Sequence, residues 1–266
     1  MTCIESKAAM SFWGLKRSGV IAAALSGITA ATSPAHATPV TFSGSSGSLS
    51  ASAEFSILGG TQLQVVLTNT SKNDVLVPGD VLTAVFFNMK DTTLTPISAS
   101  LGSSSVFFGP TGGGNVGGEW GYGGSLSGAP GGVTKGISSS GLGGVFGGPN
   151  FNGADLQSPL ALDGLQYGIT SAGDSSTTGN AAVTGNNALI KNAVTFLLSL
   201  SCSPSPCDLS KISKVSFQYG TGLNEPNFPG AENDVPINPV PLPPALLLFG
   251  TALMGLTVLG RRRRYA

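Results

Sequence analysis

Residues 49–68 restrict what this 266-residue chain can fold into more than any other stretch. Leu49, Ala51, Ala53, Phe55 and Ile57 alternate with Ser50, Ser52, Glu54 and Ser56. A period of two places the apolar set on one face of a strand and the polar set on the other. Gly59-Gly60 follows, and then Leu63, Val65 and Leu67 alternate with Gln62, Gln64, Val66 and Thr68. Two such runs joined by a Gly-Gly turn predict a β-hairpin. Asn69–Asp74 reads as a loop and Val81–Met89 as a more buried strand, with further strands over Val194–Leu200 and Lys214–Tyr219. No long stretch carries a helical period. The expectation is an all-β fold, a β-sandwich or jelly-roll-like exterior domain over residues 38–225.

Residues 109–150 interrupt that pattern with long Gly-rich loops. Eighteen of the forty residues from Gly109 to Gly148 are glycine, accompanied by Pro110, Pro130 and Pro149. Glycine loses the most conformational freedom on ordering, so this composition predicts long loops around short strands, or partial disorder. Glu119-Trp120-Gly121-Tyr122 is where an acid and two aromatic rings stand together. Two readings are open. Exposed Trp120 and Tyr122 would stack on a sugar ring, making a carbohydrate-binding module to which Tyr167 could add a face. Buried, they would plug the core beneath the loops, and this reading carries more weight.

The N-terminus predicts export. Lys16 and Arg17 precede the apolar run Gly19–Ala31, which ends in Ala35-His36-Ala37. A basic flank, a short apolar run and a small-x-small site mark residues 1–37 as a secretory signal peptide, cut by signal peptidase after Ala37. Translation could start at Met1 or at Met10. His36 is the only histidine in the chain, so the expected mature protein has none. Ser-His-Asp and Cys-His catalysis, histidine general bases and histidine metal sites are thereby excluded. Arginine is absent between Ala37 and Arg261, which removes the best bidentate partner for phosphate.

Charge narrows the partners further. Between Thr38 and Pro239 the basic residues are Lys72, Lys90, Lys135, Lys191, Lys211 and Lys214, against about twice as many acids, for a net charge near −6. Such a domain repels nucleic acid. No enzyme activity, cofactor or metal is expected. A carboxylate-only glycosidase would need two of Glu54, Glu119, Glu225 and Glu232 facing one another across about 5–10 Å. Asp155, Asp163, Asp174 and Asp234 lie in Gly/Asn-rich loops but lack the ligand spacing of a calcium loop. Cys202 and Cys207 flank Ser-Pro-Ser-Pro. An oxidising compartment favours a disulfide there, worth about 2 kcal/mol through loop entropy, over a metal or redox pair.

Beyond the domain, residues 226–239 read as an extended linker, with Pro226, Pro229, Pro236 and Pro239. Val240-Pro241-Leu242-Pro243-Pro244 comes next, followed by an apolar stretch from Ala245 to Gly260 whose only hydroxyl side chains are Thr251 and Thr257. Residues 244–260 predict a transmembrane helix, short against the roughly 20 residues a bilayer needs. Arg261, Arg262, Arg263 and Arg264 close it and should remain on the cytoplasmic side.

This proline motif, apolar helix and arginine cluster, residues 240–266, resemble the PEP-CTERM sorting domain of Gram-negative bacteria. Val240, Pro241 and Pro243 match its signature, and Leu242 stands where glutamate is commonest. Asp80–Phe87, Asp163–Asp174 and Val215–Thr221 are similar to segments of exosortase-dependent surface proteins. The resemblance implies secretion by the general export machinery and transient anchoring in the inner membrane. Exosortase would then process the chain at or near Val240–Pro244, and the product would stand at the cell surface or in the extracellular matrix, near exopolysaccharide and biofilm. It implies no biochemical activity. Gln166-Tyr167-Gly168 and Gln218-Tyr219-Gly220 also echo each other, as two paired strands ending in equivalent turns would.

Overall fold

A computed structural model describes residues 38–108, 114–156, 162, 164–175, 177–178, 183 and 187–233. The stretches expected to be signal peptide, sorting motif and transmembrane helix, together with Arg261–Arg264, lie outside the described residues. Among those residues the elements are strands and short 3-10 turns, and no helix is long and apolar enough to cross a membrane.

The strands are β1 (Val40–Ser46), β2 (Leu49–Leu58), β3 (Gln62–Asn69), β4 (Leu82–Met89), β5 (Thr92–Leu101), β6 (Val106–Phe108) and β7 (Gly121–Gly123). They continue with β8 (Lys135–Ser138), β9 (Ile169–Thr170), β10 (Leu189–Lys191), β11 (Ala193–Cys202), β12 (Ile212–Tyr219), β13 (Asn227–Pro229) and β14 (Ala231–Glu232). One sheet runs β14-β1-β2-β3-β11-β5 with every pair antiparallel. The other runs β13-β12-β4-β9-β10-β6, with β8 pairing the side of β4 and β7 pairing β8. The all-β expectation holds.

The predicted hairpin is β2–β3, in register from Ala51↔Asn69 to Leu58↔Gln62. Its connection carries Gly59 and Gly60 at φ 57° and 77°, the left-handed region where a side chain would be strained. The alternation buries Ala51, Ala53, Phe55, Leu63, Val65 and Leu67 while Glu54 stays exposed. The inner faces of the two sheets share one apolar core. Phe55 of β2 meets Phe87 of β4 edge to face at 5.3 Å.

Strand β4 is buried on both faces. Val85, Phe87 and Met89 enter the shared core, whereas Ala84 and Phe86 enter a second cluster with Ala129, Val133, Leu142 and Phe146. The Gly-rich segment therefore covers the outer face of the second sheet. Gly136 of β8 lies opposite Phe86, and a Cβ there would come within 2.9 Å of Phe146 and 3.0 Å of Phe86. A side chain at this position would displace both rings.

At one end the sheets are tied by hydrogen bonds. The Tyr219 hydroxyl donates to the Ser50 carbonyl at 2.9 Å and lies 3.2 Å from Asn69 Oδ1, while Asn69 Nδ2 donates to the Ile169 carbonyl at 2.9 Å. The Gln-Tyr-Gly echo meets here. Ile169 and Tyr219 both pair with Leu82, from opposite sides of β4, so the two segments flank a common strand and do not pair with each other. Their turns also differ, because the positive φ falls on Tyr167 in one and on Gly220 in the other.

The predicted linker needs correcting. β13 and β14 fall within residues 226–239, so the paired fold reaches at least Asn233. The Asn233 N–H donates to the Thr41 carbonyl at 2.8 Å, and the Ser43 hydroxyl donates to Asn233 Oδ1 at 2.7 Å. Proline density is a poor guide here because Pro229 sits in a terminal strand of its sheet, where a missing N–H costs little. Strand β5 escapes sequence reading for a related reason. Its Thr/Ser-rich run contains Pro96, at the edge of the first sheet beside a bulge opposite Leu197 and Leu198.

Burial holds the phenols of Tyr122 and Tyr219 well above the usual tyrosine range. A raised folded-state value means that the stabilisation is complete below about pH 10 and falls as the pH rises beyond it. Urea denaturation from pH 7 to 11 should show no phenol-linked change up to about pH 9, and then a fall in stability whose slope approaches about 1.4 kcal/mol per pH unit for each of these phenols above about pH 10. Tyr219→Phe should reduce that slope and cost about 1–3 kcal/mol at pH 7, since Ser50 and Asn69 lose a buried partner.

Candidate functional site

The sequence singles out Glu119-Trp120-Gly121-Tyr122, and the fold shows why these residues stand together. Trp120 and Tyr122 share one face of an extended segment and point into the shared core. Trp120 is fully buried and meets Phe196 of β11 at 4.9 Å, while Phe151 packs on the same Phe196 at 5.2 Å. Tyr122, on β7 opposite Ile137, is 4% exposed. Gly121 and Gly123 occupy the other face, where Leu162 and Leu126 lie against the backbone. Tyr167 is also fully buried. The stacking platform proposed for Trp120 and Tyr122 is thus corrected: neither ring offers a face to a sugar, because both fill the core under the Gly-rich loops. The sequence signal was the Trp-Gly-Tyr-Gly alternation, a period of two with glycine on the crowded side.

The four glutamates do different work. Glu119 is buried and its carboxylate accepts the Leu156 N–H, fastening one Gly-rich loop to another. The Glu225 carboxylate accepts the N–H groups of Thr221 at 2.5 Å and Gly222 at 2.7 Å, closing the turn between β12 and β13. Glu54 pairs in register with Thr41, and Glu232 with Phe42. Thr41 and Phe42 point to opposite faces of β1, so Glu54 and Glu232 do as well.

The aspartates serve as loop fasteners. Asp174 is buried, accepts the Val75 N–H at 2.9 Å through Oδ1, and offers its backbone carbonyl to Lys191 Nζ at 2.8 Å. Asp74 accepts the Ser175 N–H at 2.8 Å and the Thr178 hydroxyl at 2.6 Å. Among the described residues no three His, Cys, Asp or Glu side chains gather as a metal site. Asp163 and Asp234 lie outside those residues.

Cys202 and Cys207 form the expected disulfide, with Cα atoms 5.3 Å apart. It closes the turn that leaves β11, and both cysteines pack on the edge of the shared core. The exposed large apolar side chains Leu76, Val77, Val106 and Leu223 lie towards the other end, where Tyr219 and Asn69 join the sheets.

Two changes test these assignments. Trp120→Ala should lower unfolding free energy by about 3–5 kcal/mol, as expected for emptying a core site, when measured in urea. Cys202→Ser with Cys207→Ser should cost about 2 kcal/mol and leave the far-ultraviolet circular dichroism spectrum unchanged. In comparisons with protein-family models, curated proteins and solved structures, nothing matches this chain.

Proposed function

We propose that this chain is an exported, non-enzymatic surface or extracellular-matrix protein, processed by signal peptidase at its start and by exosortase at its tail. The observation that carries the reading is the order of three C-terminal parts: Val240–Pro244, the apolar stretch to Gly260, and Arg261–Arg264. An uncharged segment ending in four arginines suits one-sided insertion in a membrane. Exposure of the chain to an oxidising compartment agrees with a disulfide at Cys202–Cys207.

The limits of the fold support the same reading. β1 begins at Val40, three residues beyond Ala37, and the paired fold still holds Asn233, seven residues before Val240. Cuts after Ala37 and around Val240–Pro244 would therefore leave every described strand intact. β1 and β14 are antiparallel neighbours, so the start of β1 and the end of β14 leave the same end of one sheet. A domain held through both ends while being processed would stand on that end.

For the domain itself we favour a β-sandwich, because two sheets bury their inner faces in one core. A structural or matrix role accords with carboxylates spent on fastening loops and with a surface carrying few charges. Exopolysaccharide is the partner that this location would offer.

The mass of the protein from its native host, with and without the exosortase, tests the reading. The expected product begins near Thr38 and ends between Pro239 and Pro244 only when exosortase is present. A tail intact to Ala266 in both strains overturns it.

A further inference from the structure

We propose that a groove between β12–β13 and the loop Ala129–Val133 binds an acidic saccharide, a sugar unit carrying a carboxylate. The groove measures about 390 Å³, within the range of roughly 300–1,000 Å³ that accommodates small ligands. Pro130, Val133 and Pro229 supply apolar walls, and Lys214, Ser216 and Asn227 supply the polar points. Proline and valine walls suit the C–H faces of a sugar ring.

The polar points are unusual for the interior of a fold. Ser216 Oγ and Asn227 Nδ2 are buried and make no hydrogen bond within the protein. Burying such groups without partners is costly, so a state that gives them partners is favoured. Phe217 and Phe228 of the same strands enter the shared core, leaving Ser216 and Asn227 on the outer face. Ser216 lies opposite Pro229 and Asn227 opposite Gln218, so the two are diagonal neighbours, roughly 7–8 Å apart between backbones. That separation exceeds the width of one carboxylate and calls for a ligand with polar groups around a ring. A hydroxyl, a primary amide and an ammonium are together rich in donors, which favours acceptors and negative charge.

The loop supplies a means of entry. Ala129 and Val133 anchor it in the second cluster. Between them Gly131 and Gly132 take φ 66° and 65°, and a Cβ at either would meet nothing within 4 Å. Lys214 reaches across the groove to the Gly131 carbonyl at 3.3 Å, holding the tip over the buried donors. A carboxylate is a stronger partner for an ammonium than a neutral carbonyl is. A uronate that takes Lys214 thus frees the tip and uncovers Ser216 and Asn227 for its ring hydroxyls.

This deepens the matrix reading by giving its ligand class, but it does not depend on the sorting route. The test is calorimetric titration of the full-length chain in detergent with oligogalacturonate, with neutral dextran oligomers and with an oligoglutamate peptide. Oligogalacturonate should bind saturably, at least about tenfold more tightly than either control, and both Lys214→Gln and Asn227→Leu should weaken it about tenfold. Lys214 is exposed, so Lys214→Gln should keep the wild-type circular dichroism spectrum and melting point. Absence of binding, equal binding of dextran or of the peptide, or an affinity unaffected by Lys214→Gln overturns the proposal. Binding that persists in a chain whose tail proves independent of exosortase removes the sorting reading and leaves the groove standing. Normal processing without binding does the reverse.

Discussion

Strand β4 has to bury both of its faces, and much of the architecture answers that demand. Val85 and Phe87 are satisfied by the first sheet, through Phe55 and its neighbours. Ala84 and Phe86 point the other way, where an uncovered second sheet would expose them to water. The Gly-rich segment removes that exposure by laying Leu142, Phe146, Val133 and Ala129 on the outer face. A region whose composition suggests loose loops is therefore held by one of the two apolar clusters flanking β4. Its glycines allow close approach, as at Gly136 between Phe86 and Phe146.

Polar groups fix the geometry that apolar burial leaves free. Burial is non-directional, so two sheets could slide on one another with little loss of contact area. The Tyr219 hydroxyl and the Asn69 amide remove that freedom by linking β12 and β9 to the ends of β2 and β3. Glu119, Asp174 and Glu225 act likewise on the loops, each receiving backbone N–H groups that would otherwise be left without partners. In a domain with so few charges, carboxylates used in this way are structural parts, and the groove beside Lys214 becomes the more distinctive chemical feature.

The hairpin was legible because a turn and two alternating runs agree: Leu49–Ile57, Gly59-Gly60 and Leu63–Leu67 each predict the same local structure. β4, β11 and β12 were legible from apolar density. β5 was not, since Thr92, Thr93, Thr95 and Pro96 hide a strand whose pairing with β11 is decided from a distance. β13 and β14 are too short to show any period, and prolines on both sides make them resemble linker. Trp120 and Tyr122 left two readings open because an aromatic pair flanked by glycines suits either a core or a sugar platform.

The sequence by itself determined the class of fold, the hairpin, the cysteine pair and the absence of histidine chemistry beyond Ala37, because each rests on residues close together in the chain or on what is missing from it. Tertiary structure decided which faces were buried, how far the fold extends towards the tail, and where Lys214, Ser216 and Asn227 meet the loop at Pro130. Those outcomes depend on contacts between residues tens to more than a hundred positions apart. Local periodicity carries no information about which distant surface will cover a given face.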